Sequence, residues 1–207
     1  MMISRLILIP FLGLLASPLS AEKITLGALS AYLNGLTTFQ ANFTQISADS
    51  SLSTGALYIK RPGRVRFEYD PPNNALVLAA GGQLAIFDPK GNLEPESYPL
   101  SKTPLSLILA DTINLAEDKM VTGHEYDGIS TILTVQDPNF SERGIIRLVF
   151  TGPVPQLRQW LIQDQNGDQT VVVLNDMETH LSLPEGLFNI FLNLSLIHIS
   201  EPTRLAE

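Results

Sequence analysis

From Gly55 to Tyr69 an apolar residue occupies almost every second position, and Pro62-Gly63 interrupts the run once. A period of two means a strand with one buried face, so this stretch reads as strand, tight turn and strand. Val65, Phe67 and Tyr69 then share one face. The same pattern recurs along most of the chain. Phe39, Ala41 and Phe43 alternate with Gln40, Asn42 and Thr44, and further runs lie at 75–80, 83–88, 119–126, 129–136, 144–151, 155–164 and 169–178. Turn residues separate several of them: Pro71-Pro72-Asn73-Asn74, Gly81-Gly82, Asp127-Gly128 and Asn166-Gly167. The last two pairs predict two-residue hairpin loops.

Two segments break the pattern. Ile24 to Leu36 reads as an amphipathic helix, with Thr25 as cap, Leu26, Leu29 and Leu33 on one stripe, and Asn34-Gly35 at its end. After Pro104, the residues Leu105, Leu107, Ile108 and Leu109, then Ile113 and Leu115, predict two short helical turns. The fold expected is mainly β with helices (α+β). About ten consecutive antiparallel strands form one large curved sheet, an unclosed half-barrel capped by the N-terminal helix and a short helical lid. An apolar sheet face must be covered, and two small helical segments cover ten strands only in part. Periodicity alone leaves two readings open. Either the concave side keeps room for an apolar ligand, or its own large side chains fill it.

The ends belong to something else. Arg5, the apolar run Leu6 to Leu15 and the small-residue stretch Ala16 to Ala21 have the order of an export signal, with cleavage expected after Ala21. The run falls short of the ~20 residues that span a bilayer. Residues 22–193 are expected to form one domain. Residues 194–207, Leu194-Ser195-Leu196-Ile197-His198-Ile199-Ser200 onward, resemble a translated sequencing adapter and are read as a non-native tail.

Composition removes several function classes. The chain has no cysteine, which excludes disulfides, thiolate metal sites, a cysteine nucleophile and a lipidated N-terminal cysteine. Its formal net charge is −8, and losing Arg5 with the leader makes it −9. Phosphate binding needs clustered cations, so no nucleic acid is expected. Of three histidines, His198 lies in the tail, and His124 and His180 lack partners at ligand or triad spacing. Asp164-Gln165-Asn166-Gly167-Asp168 lacks the alternating ligands and terminal glutamate of an EF-hand and reads as a hairpin turn. Glu94 and Glu96, beside Pro95 and Pro99, read as a solvated edge rather than an acid pair. No metal, cofactor or catalytic site is expected.

The order and spacing of three segments resemble a known family. They are Phe39-Gln40-Ala41-Asn42-Phe43-Thr44-Gln45, Lys60-Arg61-Pro62, and Leu84-Ala85-Ile86-Phe87-Asp88-Pro89, with a weaker echo at Leu183-Pro184-Glu185-Gly186-Leu187-Phe188. The family is the periplasmic outer-membrane lipoprotein carriers (LolA). Gly81-Gly82-Gln83 departs from its pattern, which often has an aspartate and glycine before the Leu84 strand.

The resemblance implies a monomeric periplasmic carrier, not an enzyme. It would take the acyl chains of lipoproteins from an inner-membrane lipoprotein-releasing ABC transporter to an outer-membrane receptor. The alternative is a carrier or sensor of another lipid, phospholipid or glycolipid, on the same fold. Spacing alone reads Lys60-Arg61 as a solvated strand end, whereas the resemblance makes Arg61 the latch that hydrogen-bonds the lid. Leu105, Leu107, Ile108, Leu109 and Ile113 are the expected lid residues. Phe39, Phe43, Val65, Phe67, Tyr69, Leu76, Leu78, Phe87 and Trp160 are the expected cavity lining.

Overall fold

The computed structural model describes residues 22–89, 95–117 and 119–192. The expected export signal, the tail and Glu94 lie outside them. Eleven strands form one antiparallel sheet. In chain order they are β1 (Thr38–Ile46), β2 (Leu52–Lys60), β3 (Arg64–Tyr69), β4 (Leu76–Ala80), β5 (Gln83–Phe87), β6 (Glu96–Pro99), β7 (Val121–Tyr126), β8 (Ser130–Gln136), β9 (Ile145–Thr151), β10 (Gln156–Gln163) and β11 (Gln169–Thr179). Their order across the sheet is β6-β5-β4-β3-β2-β1-β11-β10-β9-β8-β7. Two meanders therefore meet where β1 pairs with β11, and β6 and β7 are the free edges of an unclosed barrel. Register shifts at Gln40/Asn42, Leu157/Gln159 and Val121/Gly123 are the irregularities that let so wide a sheet curl.

The architecture is the one expected from the alternation, with β6 added. Its four residues end in a proline and follow another, and such a strand survives only at an edge. Helix α1 (Leu26–Gly35) begins as expected, the Thr25 hydroxyl accepting from Ala28 N at 3.2 Å. Leu29 and Leu33 are its buried stripe. Both hairpin pairs do turn, but over more than two residues. The Asp127 carboxylate accepts from Ile129 N and Ser130 N, and that of Asp164 from Asn166 N and Asp168 N. These aspartates widen each loop by supplying acceptors for its backbone.

Only one of the two expected lid helices forms. Leu105–Ile108 is a single α-turn, α2, preceded by a 3-10 turn at Leu100–Lys102. Ile113 and Leu115 are buried but not helical. Their amides are engaged from outside: Ile113 N donates to Asn34 Oδ1 at 2.9 Å, and Leu115 N to Ser30 Oγ at 3.0 Å. With those donors taken by α1, no local helical ladder forms.

Pairing register decides which face is inside. Val65 lies opposite Ala79 and Phe67 opposite Val77, so those four share the concave face. The concave core joins α1, α2 and the inner residues of most strands. Gly55 sits in it at a close approach. A Cβ there would lie 2.0 Å from Glu68 O and 2.8 Å from the Phe43 ring, so β2 admits no side chain at this point. A second, smaller cluster covers the convex face. It contains Leu78, Ala85 and Phe87, with Leu183 and Phe188 from the C-terminal segment packed over them.

Candidate functional site

Arg61 follows β2 and points under the lid. Its guanidinium donates from Nε to Ala110 O at 2.9 Å and from Nη2 to the same oxygen at 2.6 Å. Nη2 also reaches Asp111 O at 3.3 Å and Asn34 Oδ1 at 3.5 Å, and Nη1 donates to Leu33 O. One side chain thus ties the C-terminal end of α1 to the segment after α2. Carbonyls at a helix C-terminus carry partial negative charge, which favours a cation there. Burial pushes the Arg61 pKa below its ordinary value, and the Asp111 charge opposes that shift. The backbone adds two bonds at the same corner, Arg61 N to Thr37 O and Gly63 N to Leu109 O.

Two residues of α1 join this latch, and the sequence reading did not single them out for it. Asn34 binds Ile113 on both sides, accepting its N–H and donating from Nδ2 to its carbonyl at 2.8 Å. Ser30 takes Leu115 N as described. Their signal was present: Ser30 and Asn34 are spaced i, i+4 and flank the buried Leu29/Leu33 stripe.

Beside the lid lies an open-mouthed cavity of about 650 Å³. Its wall includes Phe67, Tyr69, Val77, Leu84, Leu105, Trp160 and Ile162, and its rim carries Lys102, Glu142, Arg143 and Asp164. The aromatics form one packed group. Phe43 meets Phe67 and Tyr69 edge-on at 5.3 and 5.1 Å, and Phe67 meets Trp160 edge-on at 6.3 Å. The Tyr69 hydroxyl donates to Gln45 Oε1 at 2.6 Å, and burial raises its pKa to about 12. Arg143 clasps the rim, donating to Ser101 O at 2.8 Å and pairing with Asp137 at 3.3 Å, with its guanidinium over the Phe140 ring. A volume of this size is typical of pockets for small apolar ligands.

The expected lining residues fall into four groups. Phe67, Tyr69 and Trp160 line the large cavity. Phe39 lines a small neighbouring space with Leu33, Ile59, Arg61 and Ile108, and Trp160 borders that space as well. Phe43 and Val65 belong to the concave core without lining the large cavity. Leu76, Leu78 and Phe87 are on the other side of the sheet, in or against the convex cluster, and Ala85 joins them. The reason is register: in β4 the inward residues are Val77 and Ala79, and in β5 they are Leu84 and Ile86. Of the lid set, Leu105 lines the large cavity and Ile108 the small one, Leu109 and Ile113 are buried, and Leu107 is half-buried against the core.

The polar residues outside this site have structural partners. Lys60 is no solvated strand end: its ammonium holds Glu185 Oε1 at 2.6 Å and Leu183 O at 2.9 Å on the convex face. His124 Nε2 lies 2.8 Å from Ile24 O, fixing the residues before α1. His180 Nδ1 lies beside the Thr179 hydroxyl, and Glu96 accepts from the Tyr98 hydroxyl. Among the described residues no three His, Asp or Glu side chains are grouped closely enough to hold a metal ion.

An outer-membrane lipoprotein carrier protein of Nitrosomonas europaea is 27% identical over 198 residues, covering 89% of this chain and 93% of its own. One from Chromohalobacter salexigens is 26% identical, covering 84% of this chain and 87% of its own. The crystal structure of a LolA superfamily protein from Nitrosomonas europaea aligns at a TM-score of 0.42 with 14% identity, over 82% of this chain and 99% of that one. The family model for the outer membrane lipoprotein carrier protein LolA matches residues 34–191, which include β1 to β11, Arg61 and the whole lid. The chain belongs to the LolA family of outer membrane lipoprotein carrier proteins.

Proposed function

We propose that the protein is a soluble periplasmic chaperone for lipoproteins. It shields their acyl chains after release from the inner membrane by an ABC transporter and hands them to an outer-membrane receptor, with no catalytic step. One observation carries this reading: Arg61 and Asn34 hold an apolar lid beside a 650 Å³ cavity walled by aromatics. Burying an acyl chain is worth about 0.8 kcal/mol per methylene, so a rigid, fully preformed site would not let go. Here the lid residues Leu105 and Ile108 already occupy part of the concave side. Cargo must displace that packing, which lowers its net affinity to a level that permits release.

The test uses spheroplasts that make a labelled outer-membrane lipoprotein. Added protein is expected to carry the label into the supernatant as a one-to-one complex and to pass it to outer-membrane vesicles. Failure of the folded protein to release lipoprotein, beside binding of phospholipid or glycolipid, would replace this cargo with another lipid.

A further inference from the structure

Trp160 is the only tryptophan of the chain. It stands in β10 opposite Val172 and Leu148, and is 1% exposed. Its indole Nε1–H is buried and, among the described residues, finds no acceptor. The other aromatic polar groups of this region are satisfied: Tyr69 donates to Gln45, and the Tyr32 hydroxyl accepts from Leu157 N at 2.9 Å. A buried donor without a partner destabilises the fold, and a native structure that keeps one invites an explanation.

The location supplies one. Trp160 borders both the large cavity and the small space beneath Arg61. Leu105 lines the first and Ile108 the second, and both belong to α2. That single helical turn and the indole thus stand on the walls of both spaces. Apart from Arg61, the small space is lined by apolar side chains, whereas the large cavity also carries Gln45, Thr103 and Thr170 and a charged rim. An indole N–H only donates, so its partner must bring an acceptor into an apolar cleft. Acyl chains carry one at their head, the carbonyl oxygen of the ester or amide link. Where the indole is 1% exposed, a hydrogen bond to it is stronger than one in open water.

On the reading that the cavity takes acyl chains, we propose that Trp160 Nε1–H donates to an acyl carbonyl of the cargo once α2 moves aside. The bond sets how deep the chains enter and makes the site prefer acyl links over alkyl ethers, which lack the carbonyl oxygen.

A pair of probes isolates the carbonyl: 1,2-dioctanoylglycerol and its ether counterpart 1,2-dioctylglycerol. With one tryptophan, the full chain gives one indole N–H signal in a proton–nitrogen correlation spectrum. The ester is expected to bind about fivefold tighter than the ether and to shift that signal downfield, while the ether leaves it near its free position. Trp160→Phe, which keeps an aromatic ring in the slot, is expected to bind both with equal affinity. Equal binding of the two probes by the unaltered protein with the same indole shift would overturn the assignment. So would an undiminished ester preference in Trp160→Phe. The comparison within the unaltered protein decides the matter even where the variant folds poorly. Binding of neither probe by folded protein would reject the acyl-carrier reading itself, and this assignment with it.

Discussion

Lys60 and Arg61 are neighbours in the chain and serve opposite faces of the sheet. Arg61 turns inward to the carbonyls of Leu33, Ala110 and Asp111. Lys60 turns outward to Glu185, which Arg64 also holds at 2.6 Å. Arg66 donates to Leu187 O on the same convex side. So the outer face is closed by a C-terminal strap with an ion-paired anchor over Leu78, Ala85 and Phe87. The inner face is closed by a lid held through backbone carbonyls, with a cavity left beside it. The partner type matters. Glu185 is largely exposed, so its ion pairs add little, and the strap is held mainly by Leu183 and Phe188 packed on the convex cluster. Arg61 instead holds neutral carbonyls through several hydrogen bonds, each modest, and water can satisfy both the guanidinium and the oxygens when they part. On the proposed function, the convex face is the scaffold and the concave face the part that exchanges partners.

The strongest way to break that division is to damage the scaffold alone. Leu78 is fully buried in the convex cluster. Leu78→Ala is expected to lower unfolding free energy by about 2–5 kcal/mol in a urea titration. Below its transition the variant should still bind cargo with unchanged stoichiometry. Loss of cargo by folded Leu78→Ala would show that the two faces are not separable. Arg61→Leu is the counterpart on the inner face. It should cost less stability, about 1–3 kcal/mol, yet impair the open–closed cycle. The release and hand-over assay reads this directly. Normal transfer by Arg61→Leu at normal abundance would remove the latch from the account.

The same contrast explains what the sequence could show. Strand after strand was legible, because a period of two and turn residues mark them locally. The placement of Phe67, Tyr69 and Trp160 on one wall followed from alternation together with the right choice of face. Leu76, Leu78 and Phe87 went to the wrong side because alternation reports two faces without saying which is inner. In β4 and β5 both faces are apolar, one covered by the lid region and the other by residues from near the end of the chain. Nothing local in Leu76–Ala80 reveals a strap at 183–188. Lys60 was misread for the same reason, since Glu185 lies 125 residues away. The non-helical course of Ile113 and Leu115 depends likewise on acceptors supplied by Ser30 and Asn34, far off in sequence.

Asn34 offers a finer probe of the lid than Arg61 does, because it carries no charge. Asn34→Ala removes both bonds to the Ile113 backbone and should lower stability by about 1–2 kcal/mol. Hydrogen exchange would locate the effect. The amides of Ile113 and Leu115 are expected to exchange faster, while the amide of Leu187 keeps its rate. Equal acceleration at Leu187 would mean that lid and strap open as one unit.

The smallest effect belongs to the strap's anchor, and its pH dependence separates the faces once more. Hydrogen bonds from Lys60, then from Arg64, hold the Glu185 carboxyl below its ordinary value of 4.5. A depressed folded value means the contribution is fully present above 4.5 and fades as pH falls through the folded value. The carboxylate is largely exposed, so the gain is slight and salt screens it. Glu185→Gln should therefore melt at most about 2 °C lower than the unaltered protein at pH 7. The gap should close in acid below the folded value, and also in strong salt. Arg61 binds carbonyls, which do not titrate, so exchange at Ile113 corrected for intrinsic pH effects should stay level over that range. A lid that loosened together with the strap in mild acid would instead tie the Lys60 and Arg61 ends of β2 into a single switch.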